Sequence, residues 1–307
     1  METLNSIECF VRSAEAGSFA EAARRLGLTP AAVGKNVAKL EASLGVRLFQ
    51  RSTRSLSLTE AGERFRAEVS GGLHSIQSAV ANLASSAGQP AGTLRVSMGI
   101  SFGREYVLPL LGDFLGRYPG IVPDWHFDNL PVDLIGQGFD AAIAGAIDLP
   151  PGVVARQLAP AHRILVASTA YLEAHPAIRM PADLVDHDGI RMRSPQTGRV
   201  RTWPLRNRGG EQVALETRTR MILNDPEAAC HAAQMGLGIA LVSMPHALLY
   251  LERGTLQRVL PDWYADGGML ALYFAAQKLL PGKTRAFVDF IVEQFRAQRL
   301  AERFSAV

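Results

Sequence analysis

The sequence predicts a multidomain chain: an N-terminal all-α winged helix-turn-helix, a long linker helix, and an α/β domain filling the C-terminal two thirds. Three observations predict it. At 307 residues the chain exceeds the size at which one core keeps growing, so two or three domains are expected. The first 62 residues break into short amphipathic segments bounded by cap and stop residues. From Thr93 onward, strand patterns alternate with helical ones.

Composition narrows the function classes. An apolar content of 48% permits real cores, and 32 Lys+Arg against 29 Asp+Glu leave a net charge of only +3. That balance says nothing about nucleic acid, but its distribution does. Between residues 24 and 54 stand Arg24, Arg25, Lys35, Lys39, Arg47, Arg51 and Arg54 against Glu41 alone. The two cysteines, Cys9 and Cys230, lack disulfide-framework or C-x-x-C spacing and read as small core residues. No leader pattern and no apolar run of about 18 residues appears, so a cytoplasmic protein without a membrane partner is expected.

Leu4, Ile7, Phe10, Val11 and Ala14 recur at helical spacing and mark a first helix ending near Gly17. Ser18-Phe19-Ala20-Glu21 fits a capping box, so a second helix starts at Ser18 and stops at Gly27. Thr29 then caps a third helix, with Pro30 at its first position. In that helix Val33, Val37, Leu40 and Leu44 form an apolar stripe, and Ala31, Lys35, Ala38, Lys39 and Ala42 face the other way. Alanines allow close backbone approach to base edges, while lysines reach phosphates or guanine acceptors. The plainer reading of such a face is solvation. The tight Gly27-Leu28-Thr29 turn and the basic turn Arg51-Ser52-Thr53-Arg54 favour double-stranded DNA. Around that turn Leu56 and Leu58 alternate with serines, which predicts a β-hairpin wing.

The run from Phe10-Val11 through Gly17-Ser18-Phe19, Ala22-Ala23-Arg24-Arg25-Leu26, Ala32-Val33-Gly34-Lys35 and Leu44-Gly45-Val46-Arg47-Leu48-Phe49 to Leu58-Thr59-Glu60-Ala61-Gly62 resembles the DNA-binding domain of LysR-type transcriptional regulators. The resemblance implies DNA contacts from Ser18, Thr29, Pro30, Ala31, Gly34, Lys35, Lys39, Arg51, Thr53 and Arg54. Two positions depart from the family pattern. Gly34 stands where a serine is usual, and Lys35 where arginine is more frequent, which replaces a bidentate fork by a point charge. The domain is expected to span 1–62, with the helix-turn-helix at about 19–38.

From Thr59 to about Ala87 the pattern stays helical, and Val69, Leu73, Ile76, Val80, Leu83 and Ala87 repeat at heptad spacing. This seam, in a linker helix of about 59–88, predicts a partner helix; the alternative is folding back on its own chain. Gly71-Gly72 is an awkward pair inside it. Dimerisation would let two recognition helices read an imperfect palindrome. Ser85 to Gly92 reads as a hinge.

Thr93–Met98, Phe139–Ala144, Arg163–Ala167 and Gly238–Val242 read as strands, Tyr106–Tyr118, Glu227–Met235 and Thr284–Gln298 as helices, and a parallel sheet is expected. The chain is expected to cross to a second lobe near 162–167 and to return near Met269–Phe274. This part resembles the effector domain of the same family, which implies a periplasmic-binding-protein-like pair of α/β lobes, about 92–163 with 268–307 and about 164–267. The resemblance places a small-molecule effector against Ile100, Ser101, Phe102, Asn129, Gly145, Arg193, Ser194 and Asn224, near strand ends where open α/β sheets bind ligands. Ser101 has a second reading, as a helix cap. Ala144-Gly145-Ala146 stands where many relatives carry an arginine. Arg191, Arg193, Arg199 and Arg201 either supply charge from the other lobe or form a solvated run.

No G-x-S-x-G, P-loop, H-E-x-x-H or paired-cysteine motif occurs, Gly236-Leu237-Gly238 lacks a third glycine, and His162, His187, His231 and His246 are scattered. No metal, cofactor or catalytic residue is expected. The resemblance implies a transcriptional regulator that is dimeric or tetrameric, with RNA polymerase as a further partner. The alternatives are a ligand-independent DNA-binding repressor and an enzyme domain fused to a helix-turn-helix.

Overall fold

The computed structural model describes residues 4–51, 56–84, 89–145, 151–276 and 280–307. They fall into two compact units, residues 1–92 with 133–139 and residues 93–132 with 140–307.

In the first unit α1 (Leu4–Ala16) ends at Gly17, whose φ of 60° is the left-handed stop the sequence suggested. Next, α2 (Phe19–Leu26) is capped by Ser18, whose Oγ accepts from the Glu21 N–H at 3.4 Å. Only this half of the expected capping box corresponds to the reading. Glu21 turns its carboxylate to Arg24 and Arg25 instead, the latter at 2.9 Å. Thr29 Oγ1 accepts from the Ala32 N–H at 3.2 Å and opens α3 (Pro30–Leu44). The stripe Val33, Val37 and Leu40 is buried against Phe10, Ala22 and Ala23. Leu44 leaves that stripe at 41% exposure, because the helix unwinds into left-handed Gly45 one residue later.

Strands β1 (Phe49–Arg51) and β2 (Leu56–Leu58) pair antiparallel as the wing, Phe49 opposite Leu58. Phe49 reaches back into the core, its ring 5.4 Å from Phe10 and 5.6 Å from Phe19. Helix α4 (Glu60–Ala84) begins on a double hinge-pin: Thr59 Oγ1 accepts from the Gly62 N–H at 3.0 Å and donates to the Arg47 carbonyl at 2.7 Å. Gly62 is required here, since an added Cβ would lie 2.1 Å from the Leu48 carbonyl oxygen. Gly71 is likewise a close approach, with an added Cβ 2.0 Å from the Ile135 carbonyl oxygen.

The heptad seam divides. Leu73 is 4% exposed and Val69 packs beside it in the core of this unit, so both serve their own chain. Gln77 adds to that anchoring by accepting from Arg12 at 3.1 Å and donating to Glu8. Ile76 remains 45% exposed. The side chains of Val80 and Leu83, and the hinge residues Ser85–Gly88, lie outside the described residues.

In the second unit, β3 (Gly92–Met98) leads into α5 (Ile100–Phe102), a π-type turn over Gly103–Val107, a 3-10 turn over Leu108–Leu110, and α6 (Leu111–Arg117). One regular helix over Tyr106–Tyr118 was expected; Pro109, which has no N–H to donate, sits at the change of helix type. Then come β4 (Ile121–Phe127), β5 (Ala141–Ala144), β6 (Val153–Ala167), α7 (Thr169–Glu173), β7 (Asp188–Met192), β8 (Leu205–Asn207), β9 (Gln212–Val213) and β10 (Arg218–Leu223). Helix α8 (Pro226–Gln234), β11 (Ile239–Ser243), α9 (Met244–Glu252), β12 (Gln257–Val259), β13 (Trp263–Ala275), α10 (Gly282–Ala297) and α11 (Leu300–Arg303) complete it.

The strand order is β10-β7-β11-β6-β13-β5-β3-β4. Pairs β3/β5, β7/β11 and β7/β10 are parallel, but β6 and β13 run antiparallel to each other and to their neighbours. The sheet is therefore mixed rather than parallel. The reason is topological: the chain passes from one lobe to the other along β6 and back along β13, so the two crossings must oppose. Phe287, Phe290, Ile291 and Phe295 of α10 close the first lobe on Leu94, Val96 and Phe114. A buried pair pins that helix, Lys283 donating to Asp140 at 2.8 Å while Asp140 accepts the Arg95 N–H at 2.9 Å. No helix among the described residues is long and apolar enough to cross a membrane.

Candidate nucleic-acid interface and ligand cleft

The exposed face of α3 carries the chemistry expected of a groove reader. Ala31, Lys35, Ala38, Lys39 and Ala42 are all exposed, as are Thr29 and Pro30 at its start. Neither lysine has an acidic partner among the described residues, so both charges are available. Gly34 adjoins this face, and an added Cβ there meets no atom within 4 Å. Its glycine is thus unexplained by packing within the unit. Gly34→Ala is expected to stabilise the domain by about 0.5–1 kcal/mol through a stiffer unfolded chain and a better helix, read as a raised denaturant midpoint.

Arg24 and Arg25 were part of the basic count, yet Glu21 engages both, which lowers the free positive charge beside α3. The same carboxyl is held below its usual range, first by the Arg25 hydrogen bond. Sequence reasoning missed Glu41. Its Oε1 accepts the N–H groups of Leu48 and Phe49 at 2.8 and 3.0 Å, fastening the first wing strand to α3. The backbone of Arg51 ends β1; its side chain, with Thr53 and Arg54, lies outside the described residues.

The expected effector residues divide between the junction of the two lobes and the core. Asn129 bridges the lobes: its Oδ1 accepts the Ile100 N–H at 3.2 Å and its Nδ2 donates to Asp225 at 3.1 Å. Asp225 is also the cap of α8, accepting the Ala228 N–H at 2.8 Å. Asp225-Pro226 ahead of an apolar helix is a local cap signal of the same kind as Thr29-Pro30. Further links join the lobes, among them Tyr106 donating to the Pro245 carbonyl at 2.8 Å, Arg104 facing Glu227 at 3.8 Å and Arg303 donating to Glu252 at 2.7 Å.

Phe102 packs between Tyr106 and Phe295 in the core of the first lobe, so its side chain is structural. Ser101 is buried inside α5 and is not its cap; Gly99 holds that position. Gly145 is exposed and accepts from the Tyr273 hydroxyl at 3.2 Å. Arg193 folds onto its own loop, donating to the Gly198 carbonyl at 2.7 Å. Ser194 is buried, its Oγ accepting from Thr197 N–H and Arg201 Nη2, both at 3.3 Å. Asn224 is exposed beside Asp225. A cavity of about 680 Å³ opens elsewhere on the second lobe, between Trp203, Leu215, Arg191 and Arg218. None of Ile100, Ser101, Phe102, Asn129, Gly145, Arg193, Ser194 and Asn224 lines it, whereas Arg191 of the arginine run does.

Residues 4–63 match the bacterial regulatory helix-turn-helix model of the lysR family, and residues 87–296 match the LysR substrate binding domain. An HTH-type transcriptional regulator of Xanthomonas campestris is 34% identical over 94% of this chain and 84% of its own length. An HTH-type transcriptional repressor of Pseudomonas aeruginosa is 32% identical over 96% and 93%. Among solved structures, the Vibrio cholerae virulence activator AphB superposes with a TM-score of 0.62 at 27% identity, covering 95% of this chain and 99% of AphB. CrgA of Neisseria meningitidis gives 0.60 at 26%, over 95% and 98%. With both matches spanning its two units in order, the chain belongs to the LysR family: it is a DNA-binding transcriptional regulator with an effector-binding domain.

Proposed function

We propose that α3 enters the major groove, with Lys35 and Lys39 on phosphates or guanine acceptors and the alanine face against the base edges. The observation that carries this is the exposed, unpaired lysine pair on an otherwise small-residue helix face. The wing, through Arg51, Thr53 and Arg54, holds the flanking backbone. Two copies read an imperfect palindrome in the cytoplasm, and the contact runs from Ile76 toward Val80 and Leu83, since Val69 and Leu73 are consumed by the chain's own core. A tetramer built from two such dimers, and contact with RNA polymerase, follow the family pattern.

The second unit acts as the sensor and needs no catalytic step. Ligand entry between the lobes competes with the Asn129–Asp225 bridge, so binding biases one lobe arrangement over another and shifts the population of the DNA-bound form. Salt-titrated operator binding tests the DNA half. Lys35→Ala with Lys39→Ala is expected to reduce the log-log salt slope by about 2, near one per lost phosphate contact. A slope equal to that of the unsubstituted protein would remove α3 as the reader.

A further inference from the structure

Arg163 lies on β6 opposite Ser243, the last residue of β11, and so stands at the end of the second-lobe sheet where β7 runs out into Arg193-Ser194. Its guanidinium lies 4.7 Å over the ring of Trp203. No carboxylate pairs with it among the described residues, and its Nε is enclosed without a hydrogen-bond acceptor. Burial pushes its pKa down to about 10, and the charged group it feels is a second cation, Arg201. Arg201 is tied to the same strand end, its N–H on the Met192 carbonyl at 2.7 Å and its Nη2 on Ser194 Oγ at 3.3 Å.

A largely enclosed guanidinium beside another arginine is an unfavourable arrangement in isolation, because a desolvated cation ordinarily requires an anionic partner. The Trp203 face offsets part of that cost without supplying negative charge. At the facing strand end of the first lobe, the described residues Ala144 and Gly145 bring no acidic or basic side chain.

We propose that the effector carries a carboxylate, held by Arg163 as the planar fork with Arg201 as the second charge and the Ser194 hydroxyl at its side. This rests on the reading of the cleft as the sensor. The guanidinium geometry favours a planar two-oxygen group over a halide or a neutral amide.

Thermal unfolding of the full chain in sodium acetate, against equal sodium chloride and against neutral acetamide, tests it. Acetate above its dissociation constant is expected to raise Tm by about 2–4 °C over chloride, with acetamide giving none of this increment. Arg163→Gln should abolish the increment and Arg163→Lys should shrink it. Arg201→Gln, at an exposed residue, should also reduce it. An increment that survives in both glutamine variants, or the lack of any increment in the unsubstituted protein, overturns the carboxylate site. Acetamide stabilising the unsubstituted protein and Arg163→Gln alike also overturns it, while leaving the cleft a ligand site. Operator binding by the same variants reports on the sensor reading separately.

Discussion

Replacing Glu41 by alanine is expected to destabilise the N-terminal unit by about 3 kcal/mol and to weaken operator binding by at least about tenfold. Two backbone N–H groups, those of Leu48 and Phe49, donate to Glu41 Oε1 at 2.8 and 3.0 Å. Hydrogen bonds to a charged acceptor contribute about 1.5–3 kcal/mol each, and donors left unpaired carry a desolvation cost. Glu41 is partly exposed, so the lower end of that range applies to each bond. Both side chains that follow these amides are buried, 1% and 2% exposed, and Phe49 joins the aromatic cluster with Phe10 and Phe19. Losing the clamp therefore frees β1 and with it the base of the wing. Glu41→Gln keeps one acceptor and should lose about half as much. Calorimetry of the full chain, with operator titration beside it, checks both. A first transition unmoved in Glu41→Ala would show that the aromatic cluster alone positions the wing.

Glu41 also shows what the sequence can and cannot say. Ser18, Gly27, Thr29, Pro30 and Gly17 act on backbone groups within four residues, and each was legible because its signal is local. Glu41 is only seven residues from its partner, but the pairing depends on how the chain turns after Gly45, which no periodicity encodes. Asp140 and Lys283 are 143 positions apart and meet only once the sheet forms. The heptad seam is a different case. Val69 and Leu73 recur at a spacing that marks an apolar face, and spacing does not say whether a second chain or α1 covers it. The antiparallel crossing of β6 and β13 follows from two lobes joined by two strands. It was implicit in the crossing and return points, although the sheet itself was read as parallel. Among the ligand residues, family likeness gave positions along the chain and not side-chain direction, which is why Asn129 met the other lobe while Phe102 entered the core.

Acid is expected to weaken the regulatory unit through His246, with about 2 kcal/mol of stability lost between pH 6.5 and about pH 4. Burial depresses this imidazole to about 4, and the nearby Arg163 adds to the shift, while Glu227 and Asp225 oppose it. Its Nδ1 lies 2.5 Å from Ser243 Oγ at the start of α9. A folded-state pKa below the unfolded 6.5 means that the unfolded chain takes up the proton first as pH falls. The stabilisation is therefore complete above pH 6.5, declines below it and is gone beneath about pH 4. The whole interval corresponds to about 3 kcal/mol, and the partial surface exposure of His246 trims it to about 2. His187, lowered first by burial and then by His175 and Arg218, and His162, lowered by burial, act with the same sign and steepen the decline. Urea midpoints at pH 7 and pH 4.5 should therefore differ more in the unsubstituted protein than in His246→Gln, which has no proton to take up. Equal pH dependence in the two would assign the acid loss to the other histidines. A bound carboxylate at Arg163 would add a negative charge near His246 and raise its pKa, so ligand should narrow the pH window over which stability is lost.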